Sequence, residues 1–475
     1  MAVGELDIDR LRAGYTPTRA ELVRIVILMS IPMILSEISV QVMSYIDAGM
    51  VGSLGPVATA SVGLVNTTDW LMSGMCFCVS MGFNVQIAQL VGAGRLDEAR
   101  GVLRQSMVVT LLFGAAMMAI GLSIAGSIPR WLGGEPETWQ DASNYFRWFS
   151  LSMPMWALSR ALAGALQCSG DMRTPSNLTI ASCFLDVAFN ALLIFPGLDL
   201  AVGGVSVHLP GAGMGVPGAA LGTVLAECVV TLGMAWALLV RSPILALRLG
   251  GSWRLHADCL VSATRICAPM FLERIAMNFA LVVLTVFVTP LGTLALAAHS
   301  LAITAEGICY MPGFGISAAS TTLVRQAIGA NRKDLAVRFS NASLMLGSTM
   351  MGLMGVLLFV FAPHIMSLLT PDPTVVGLGA AVLRIEAFAE PLYAVSIVGT
   401  GIFRGAGDTL VPSLIGLGTV WIVRLPLAWF LSQSMGLVGI WLGMATELCV
   451  RGLIFLVRAR RGRWLETKAI TMGEG

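Results

Sequence analysis

Ten carboxylates stand inside apolar runs of this chain: Glu37, Asp47, Asp69, Asp186, Glu227, Glu273, Glu306, Glu386, Glu390 and Glu447. An ionisable side chain at bilayer depth costs roughly 2.5 to 3.5 kcal/mol on insertion scales, so each one is a functional candidate by default. Cations in the same runs are fewer, chiefly Arg424, with Arg160, Arg274, Arg384 and Arg404 nearer the ends. The surplus is acidic. A carboxylate there either carries a proton or pairs with a cation, and both choices tie conformation to an ion, H⁺ or Na⁺. The plainer role, a hydrogen bond between neighbouring helices, is expected for roughly half of them.

Asp186 and Asn190 are four apart, which stacks a carboxylate and an amide on one helix face. Hard cations favour several oxygen ligands, so Thr223 on the next helix and Asp47 would complete an oxygen-only cluster, a place for Na⁺ at Asp47, Asp186 and Asn190. No other metal site is expected, nor any cofactor besides the coupling ion.

The elements that hold these residues must be membrane helices. Of the 475 residues, 56% are apolar and 12% charged, against about a quarter charged in soluble domains. A spanning helix needs about 20 mostly apolar residues. Twelve such runs lie near 24–49, 59–90, 104–126, 145–167, 176–196, 216–240, 261–289, 296–325, 341–366, 383–403, 412–432 and 436–457. Basic residues collect in alternate loops: Arg95, Arg100 and Arg104; Arg241, Arg248, Arg254 and Arg265; Arg325, Arg332, Lys333 and Arg338. Basic residues also flank both ends of the chain, Arg10, Arg12, Arg19 and Arg24 at one and Arg458 to Lys468 at the other. The positive-inside rule therefore places both termini in the cytoplasm. The first 22 residues are polar, and the apolar run after them is too long for a cleavable signal.

Laid over itself with a shift of 237, the chain matches its own punctuation: Pro32 on Pro269, Leu54-Gly55 on Leu291-Gly292, Gln89 on Gln326, Gly92-Ala93 on Gly329-Ala330, Pro154 on Pro391, and Gly170-Asp171 on Gly407-Asp408. About sixteen extra residues around Gly197 to Ala212 interrupt the register, after which Gly215 aligns with Gly436. Six helices per copy is an even number, so the copies are parallel repeats about an axis along the membrane normal. The repeat also sorts the acids. Asp97/Asp334 and Asp171/Asp408 recur in turns and read as caps and ties, while Asp69/Glu306 recur inside spans, where scaffold and ion roles are evenly matched. Asp47, Asp186, Glu273 and Glu390 occur in one copy only and mark specialisation.

Several chemistries are excluded. The chain has only Lys333 and Lys468 and no G-x-x-x-x-G-K-[ST] loop, so its energy does not come from a P-loop nucleotide site. Gly211, Gly213 and Gly215 follow no strand pattern and read as a loop. H-E-x-x-H and G-x-S-x-G are missing, which disfavours an intramembrane enzyme. Nine cysteines fall mostly within spans and read as small buried apolar residues. The net charge of +2 is spread through loops, so no nucleic-acid partner is expected.

The segments Ile31-Pro32, Asp47-x-x-Met50-Val51-Gly52-x-Leu54-Gly55 and Gly92-Ala93-Gly94-Arg95 resemble the multidrug and toxic compound extrusion family, as do Met311-Pro312-Gly313-Phe314-Gly315, Gln326-x-x-Gly329-Ala330-Asn331 and Phe403-Arg404-Gly405-Ala406-Gly407-Asp408-Thr409. The likeness covers about residues 20 to 455. It implies an all-α fold of twelve transmembrane helices in two six-helix lobes forming a V, exporting organic cations and drugs against inward Na⁺ or H⁺. By that resemblance Asp47 matches the first-helix coupling aspartate, and Asp186, Asn190 and Thr223 match the positions completing its site. Other members often read Asn then Asp where this chain reads Asp186 then Asn190. Glu273 matches a seventh-helix acid of one branch whose tenth-helix aspartate is replaced here by Ser396 and Ile397; Glu306 and Glu390 are further second-lobe candidates.

The expected organisation is a cytoplasmic segment at 1–23, lobes at 24–240 and 261–457, a linker at 241–260 and a basic tail at 458–475. Partners are amphipathic or cationic small molecules and membrane lipid, the chain acting as a monomer in the inner (plasma) membrane. The rival within transporters is a flippase for lipid-linked precursors or polysaccharides, which would call for a cationic cleft.

Overall fold

The computed structural model describes residues 17–202, 205–242, 244–247 and 253–466. Arg10, Arg12, Arg248 and Lys468, used above for orientation, lie outside them. The first repeat comprises α1 (Arg19–Gly52), α2 (Pro56–Ala93), α3 (Leu96–Ile124), α4 (Trp139–Cys168), α5 (Arg173–Ile194) and α6 (Val216–Trp236). The second comprises α7 (Ala257–Val288), α8 (Thr293–Gly329), α9 (Lys333–Leu369), α10 (Pro373–Ala387), α11 (Glu390–Gly405), α12 (Leu410–Thr419) and α13 (Leu425–Arg461).

Nine helical stretches among the described residues are long and apolar enough to cross a bilayer. The stretch Leu410–Arg461 is counted once but contains two passes. Gly436 breaks it at φ 57°, ψ −132°, which only glycine adopts without strain, and Gly215 opens α6 at φ 63°, ψ −133°. The same bend thus recurs at the aligned position of both copies. Helix α4 is 30 residues long, and α10 with α11 form the tenth pass, which brings the count to the twelve expected.

Two local features differ from the sequence reading. The extra residues after α5 form an antiparallel hairpin, β1 (Gly197–Val202) with β2 (Val205–Pro210), in register Gly197↔Pro210. The other elements among the described residues are helices joined by turns and loops. The tenth pass, expected as one helix at 383–403, starts at Pro373 and breaks at Phe388–Ala389. Pro391 has no N–H for the Ala387 carbonyl, and Gly355 of α9, where a Cβ would lie 2.6 Å from that oxygen, leaves the room the break occupies.

Two compact units emerge. The first is Ser39–Ile87 with Leu96–Ala263; the second is the described part of Met1–Ile38 with Ala88–Arg95 and Thr264–Gly475. In the first unit α3 packs on α4, α4 on α6, and α5 on α6. In the second, α8 packs on α9 and α11, and α11 on α13. The last turns of α2 join the second unit because glycines let backbones touch. A Cβ at Gly92 would lie 2.7 Å from the Gln326 carbonyl oxygen, and one at Gly329 would lie 2.6 Å from that of Gln89. The contact is reciprocal between repeat-equivalent residues. Gln89 also accepts a hydrogen bond from the fully buried Arg325.

Candidate ion site

Helices α5 and α6 of the first unit approach closely because Gly218 and Gly222, four apart, clear a path along α6. A Cβ at Gly218 would sit 2.6 Å from the Leu193 carbonyl, and one at Gly222 only 2.0 Å from Asn190 Oδ1. That cleared groove is where the Asn190 side chain lies. Along α5, Cys183, Asp186, Asn190 and Ile194 form the buried stripe. At its end, Val51 of α1, Ala58 of α2, Ile194 of α5, and Val216 and Ala219 of α6 make one apolar cluster, with Tyr145 of α4 against it. The cluster fixes the end of α1 one turn beyond Asp47.

Asp47 is half-buried, while Asp186 and Asn190 are each 1% exposed. Asn190 Nδ2 donates to Asp47 Oδ1 at 2.9 Å and to Asp186 Oδ2 at 3.0 Å. Both amide protons are spent, and the orientation is forced, since both partners are acceptors. Asp186 Oδ1 and Asn190 Oδ1 are buried without a partner, although Thr223 faces Asp186. The Thr223 hydroxyl itself donates to the Ala219 carbonyl at 3.2 Å. Among the described residues neither aspartate lies within ion-pair distance of a cation. Two carboxylates bridged by one amide, with spare oxygens and no cation within ion-pair distance among the described residues, can take up a proton or a cation.

Asp69 of α2 is 2% exposed, and its Oδ1 lacks a hydrogen-bond partner. Asp69, Asp47 and Asp186 all interact electrostatically with Tyr145. Glu227, one turn beyond Thr223 on α6, interacts with Asp186 and also has a buried, unpartnered oxygen, Oε1. The sequence already placed Glu227 among the intramembrane acids, and its i+4 spacing from Thr223 sets it on the same face of α6.

The second unit treats its acids differently. Glu273 Oε2 accepts from the Ser413 hydroxyl at 2.6 Å and pairs with Arg404 at 3.4 Å, apart from the other candidates. Glu447, fully buried, takes Arg424 at 2.7 Å, Arg451 at 3.2 Å and the Thr419 hydroxyl at 2.6 Å. A π-turn at Val420–Arg424 positions Arg424. Glu306, Glu386 and Glu390 act on one another electrostatically. The turn aspartates act as ties: Asp171 accepts from the Thr174 N–H at 3.0 Å, and Asp408 accepts from the Val411 N–H and from Arg458.

The MatE family model matches residues 32–192 and again 269–430, once per repeat. The chain belongs to the MatE family. Among curated relatives of this MatE chain is a probable multidrug resistance protein NorM of Thermotoga maritima, 24% identical over 433 residues, 90% of this chain and 89% of the relative. A probable multidrug resistance protein YoeA of Bacillus subtilis is 24% identical over 436 residues, 90% of this chain and 91% of its own. A MATE protein crystallised with MaL6 shares the fold at TM-score 0.86 and 20% identity, covering 95% of this chain and all (100%) of that one. A MOP superfamily transporter from Pyrococcus furiosus, described as having a binding pocket of reverse polarity, shares it at TM-score 0.86 and 19% identity, covering 96% and 100%. This MatE chain is a multi-pass membrane protein of twelve helices in two parallel repeats.

Proposed function

We propose that this chain is a secondary active efflux antiporter, exporting amphipathic or cationic drugs in exchange for Na⁺ or H⁺ by alternating access, with Asp47, Asp186, Asn190 and Thr223 as the coupling site. Relatives named for multidrug resistance, matched over nine-tenths of their length, support the efflux reading. The observation that carries ion coupling is Asn190 bridging two carboxylates that no arginine neutralises. A proton or Na⁺ arriving there relieves the repulsion between Asp47 and Asp186; its departure restores it. The packing of α1 against α5 and α6 therefore responds to ion occupancy. Asp69, which acts electrostatically on the same Tyr145, is the further acid assigned to this site.

The proposed setting is the inner (plasma) membrane with both termini cytoplasmic, following the basic loops Arg95–Arg104 and Arg332–Arg338. The proposed unit is a monomer. The experiment is efflux of a fluorescent organic cation from proteoliposomes with pH and Na⁺ gradients imposed separately. One of the two should drive export against the substrate gradient. Export indifferent to both would refute antiport.

A further inference from the structure

Helices α2 and α4 of the first unit meet along a seam of short polar contacts. The Ser80 hydroxyl donates to the Ala157 carbonyl at 3.3 Å, and Cys168 Sγ donates to the Asn84 carbonyl at 3.1 Å. Between these contacts the Asn84 amide lies on Gly164, where a Cβ would be 1.8 Å from Asn84 Nδ2. Asn84 is 7% exposed, its Oδ1 is buried without a partner, and its side chain makes no hydrogen bond to any described residue. One turn back from Gly164 on the same face of α4 stands Arg160, half-buried, its Cζ 4.8 Å from the centroid of the Trp156 ring. Arg160 Nε is buried and unpartnered, and among the described residues no carboxylate comes within ion-pair distance of the guanidinium.

The repeat marks this as a departure from the scaffold. At the aligned places of Asn84, Gly164 and Arg160 the second copy carries Thr321, Gly401 and Ile397. There the Thr321 hydroxyl donates to the Gly401 carbonyl at 2.9 Å, and Ile397 packs away at 7% exposed. The same seam is thus self-sufficient in one copy, while in the other it holds an amide and a guanidinium with unspent hydrogen bonds. Arg160 lies about 12 Å inside the end of α4 at 1.5 Å per residue, a depth at which a cation without a counter-charge is costly. The Trp156 face steadies the planar cation but leaves its N–H edge to be met. Carboxylate or phosphate oxygens match that edge, and the Asn84 amide can donate to the same group.

We propose that Arg160, backed by Trp156 and joined by Asn84, is an oxyanion-binding subsite in the first unit, taking a carboxylate or a phosphate ester. It is separate from the Asp47 cluster and goes beyond the antiport reading, because it adds an acidic group to what the protein recognises. The second copy supplies the test substitutions, Arg160→Ile and Asn84→Thr. Purified full-length protein in detergent micelles is titrated by fluorescence polarisation with rhodamine 110, a free carboxylate, and rhodamine 123, its methyl ester. Native mass spectrometry counts the phosphatidylglycerol that each variant retains. If the group is a substrate carboxylate, Arg160→Ile weakens rhodamine 110 by about tenfold, the size of one charge-assisted hydrogen bond, and rhodamine 123 much less. If it is a lipid phosphate, Arg160→Ile lowers the retained phosphatidylglycerol by about one per protein and leaves both dyes unchanged. Asn84→Thr should move the same readout in the same direction. Thermal unfolding checks that each variant is folded, and Asn84→Thr decides alone if Arg160→Ile is not. Dye binding and lipid count equal to wild type in the folded variants would overturn the proposal, as would equal weakening of both dyes with no lipid lost. Neither readout uses an ion gradient, so failure of gradient-driven export would leave this result standing.

Discussion

At the scale of single residues, i, i+4 spacing put Asp186 and Asn190 on one face of α5 before any tertiary contact is known, while Asp47 and Thr223, on other helices, entered through the oxygen-ligand argument and the family resemblance. Which acids would acquire arginines was not legible. Glu273 meets Arg404 across 131 residues, and nothing in the local pattern of either names the other. Gly222 was also missed, although its partner at Gly218 made the small-xxx-small signature available. It carries a sharp prediction: Gly222→Ala drives a methyl into Asn190 Oδ1, displacing the amide from both aspartates. Overpacking there should cost about 1–3 kcal/mol. Ion-coupled export should fall by more than the loss of folded protein, measured as transport per folded molecule beside thermal unfolding. Unchanged coupling in a folded Gly222→Ala variant would deny Asn190 its bridging part.

At the scale of elements, the repeat was legible from proline and glycine punctuation, and the structure shows why those positions matter. Gly55 and Gly292 both take positive φ, as do Gly170 and Gly407, while Asn331 takes the left-handed place of Gly94. Equal sequence did not mean equal structure everywhere. Pro154 sits inside a continuous α4, whereas its counterpart Pro391 follows a break, a difference that depends on packing with α9 rather than on local propensity.

The reciprocal crossing of α2 and α8 gives a prediction at this scale. Gly92→Ala and Gly329→Ala should each destabilise by about 1–3 kcal/mol, and by similar amounts. Because the two glycines touch the same crossing, the double variant should cost less than the sum of the two. Thermal unfolding of the three variants in detergent is the check. The π-turn supplies another: Arg424→Ala strips Glu447 of one guanidinium in a fully buried place and should cost about 3–5 kcal/mol, with Arg424→Ala/Glu447→Gln recovering part of it. Equal stability of the two variants would contradict the ion-pair account.

At the scale of the whole molecule, composition alone fixed a helical membrane protein, and the count of twelve passes survives a census of nine candidate stretches once the Gly436 bend and the broken tenth pass are recognised. The extent of each repeat was legible; the grouping of residues into compact units was not, because the Gly92–Gly329 crossing ties the ends of α2 to the second unit through backbone proximity that sequence periodicity does not encode. The β-hairpin after α5 was likewise hidden, marked only as extra length. What unites the scales is the division of labour among acids. In the second unit Glu273 and Glu447 are held by arginines, and in the first Asp47 and Asp186 are bridged by the Asn190 amide with no cation within ion-pair distance among the described residues.

The measurement that bears most directly on that division is drug export by Asp47→Asn and Asp186→Asn, each reconstituted at wild-type density with the driving ion gradient imposed. The account predicts that either substitution lowers gradient-driven export by at least about tenfold, roughly 1.4 kcal/mol on the limiting step, while leaving the protein folded. Glu273→Gln, whose acid is already held by Arg404 and Ser413, should retain most of the activity. Wild-type export by both aspartate variants would contradict the account.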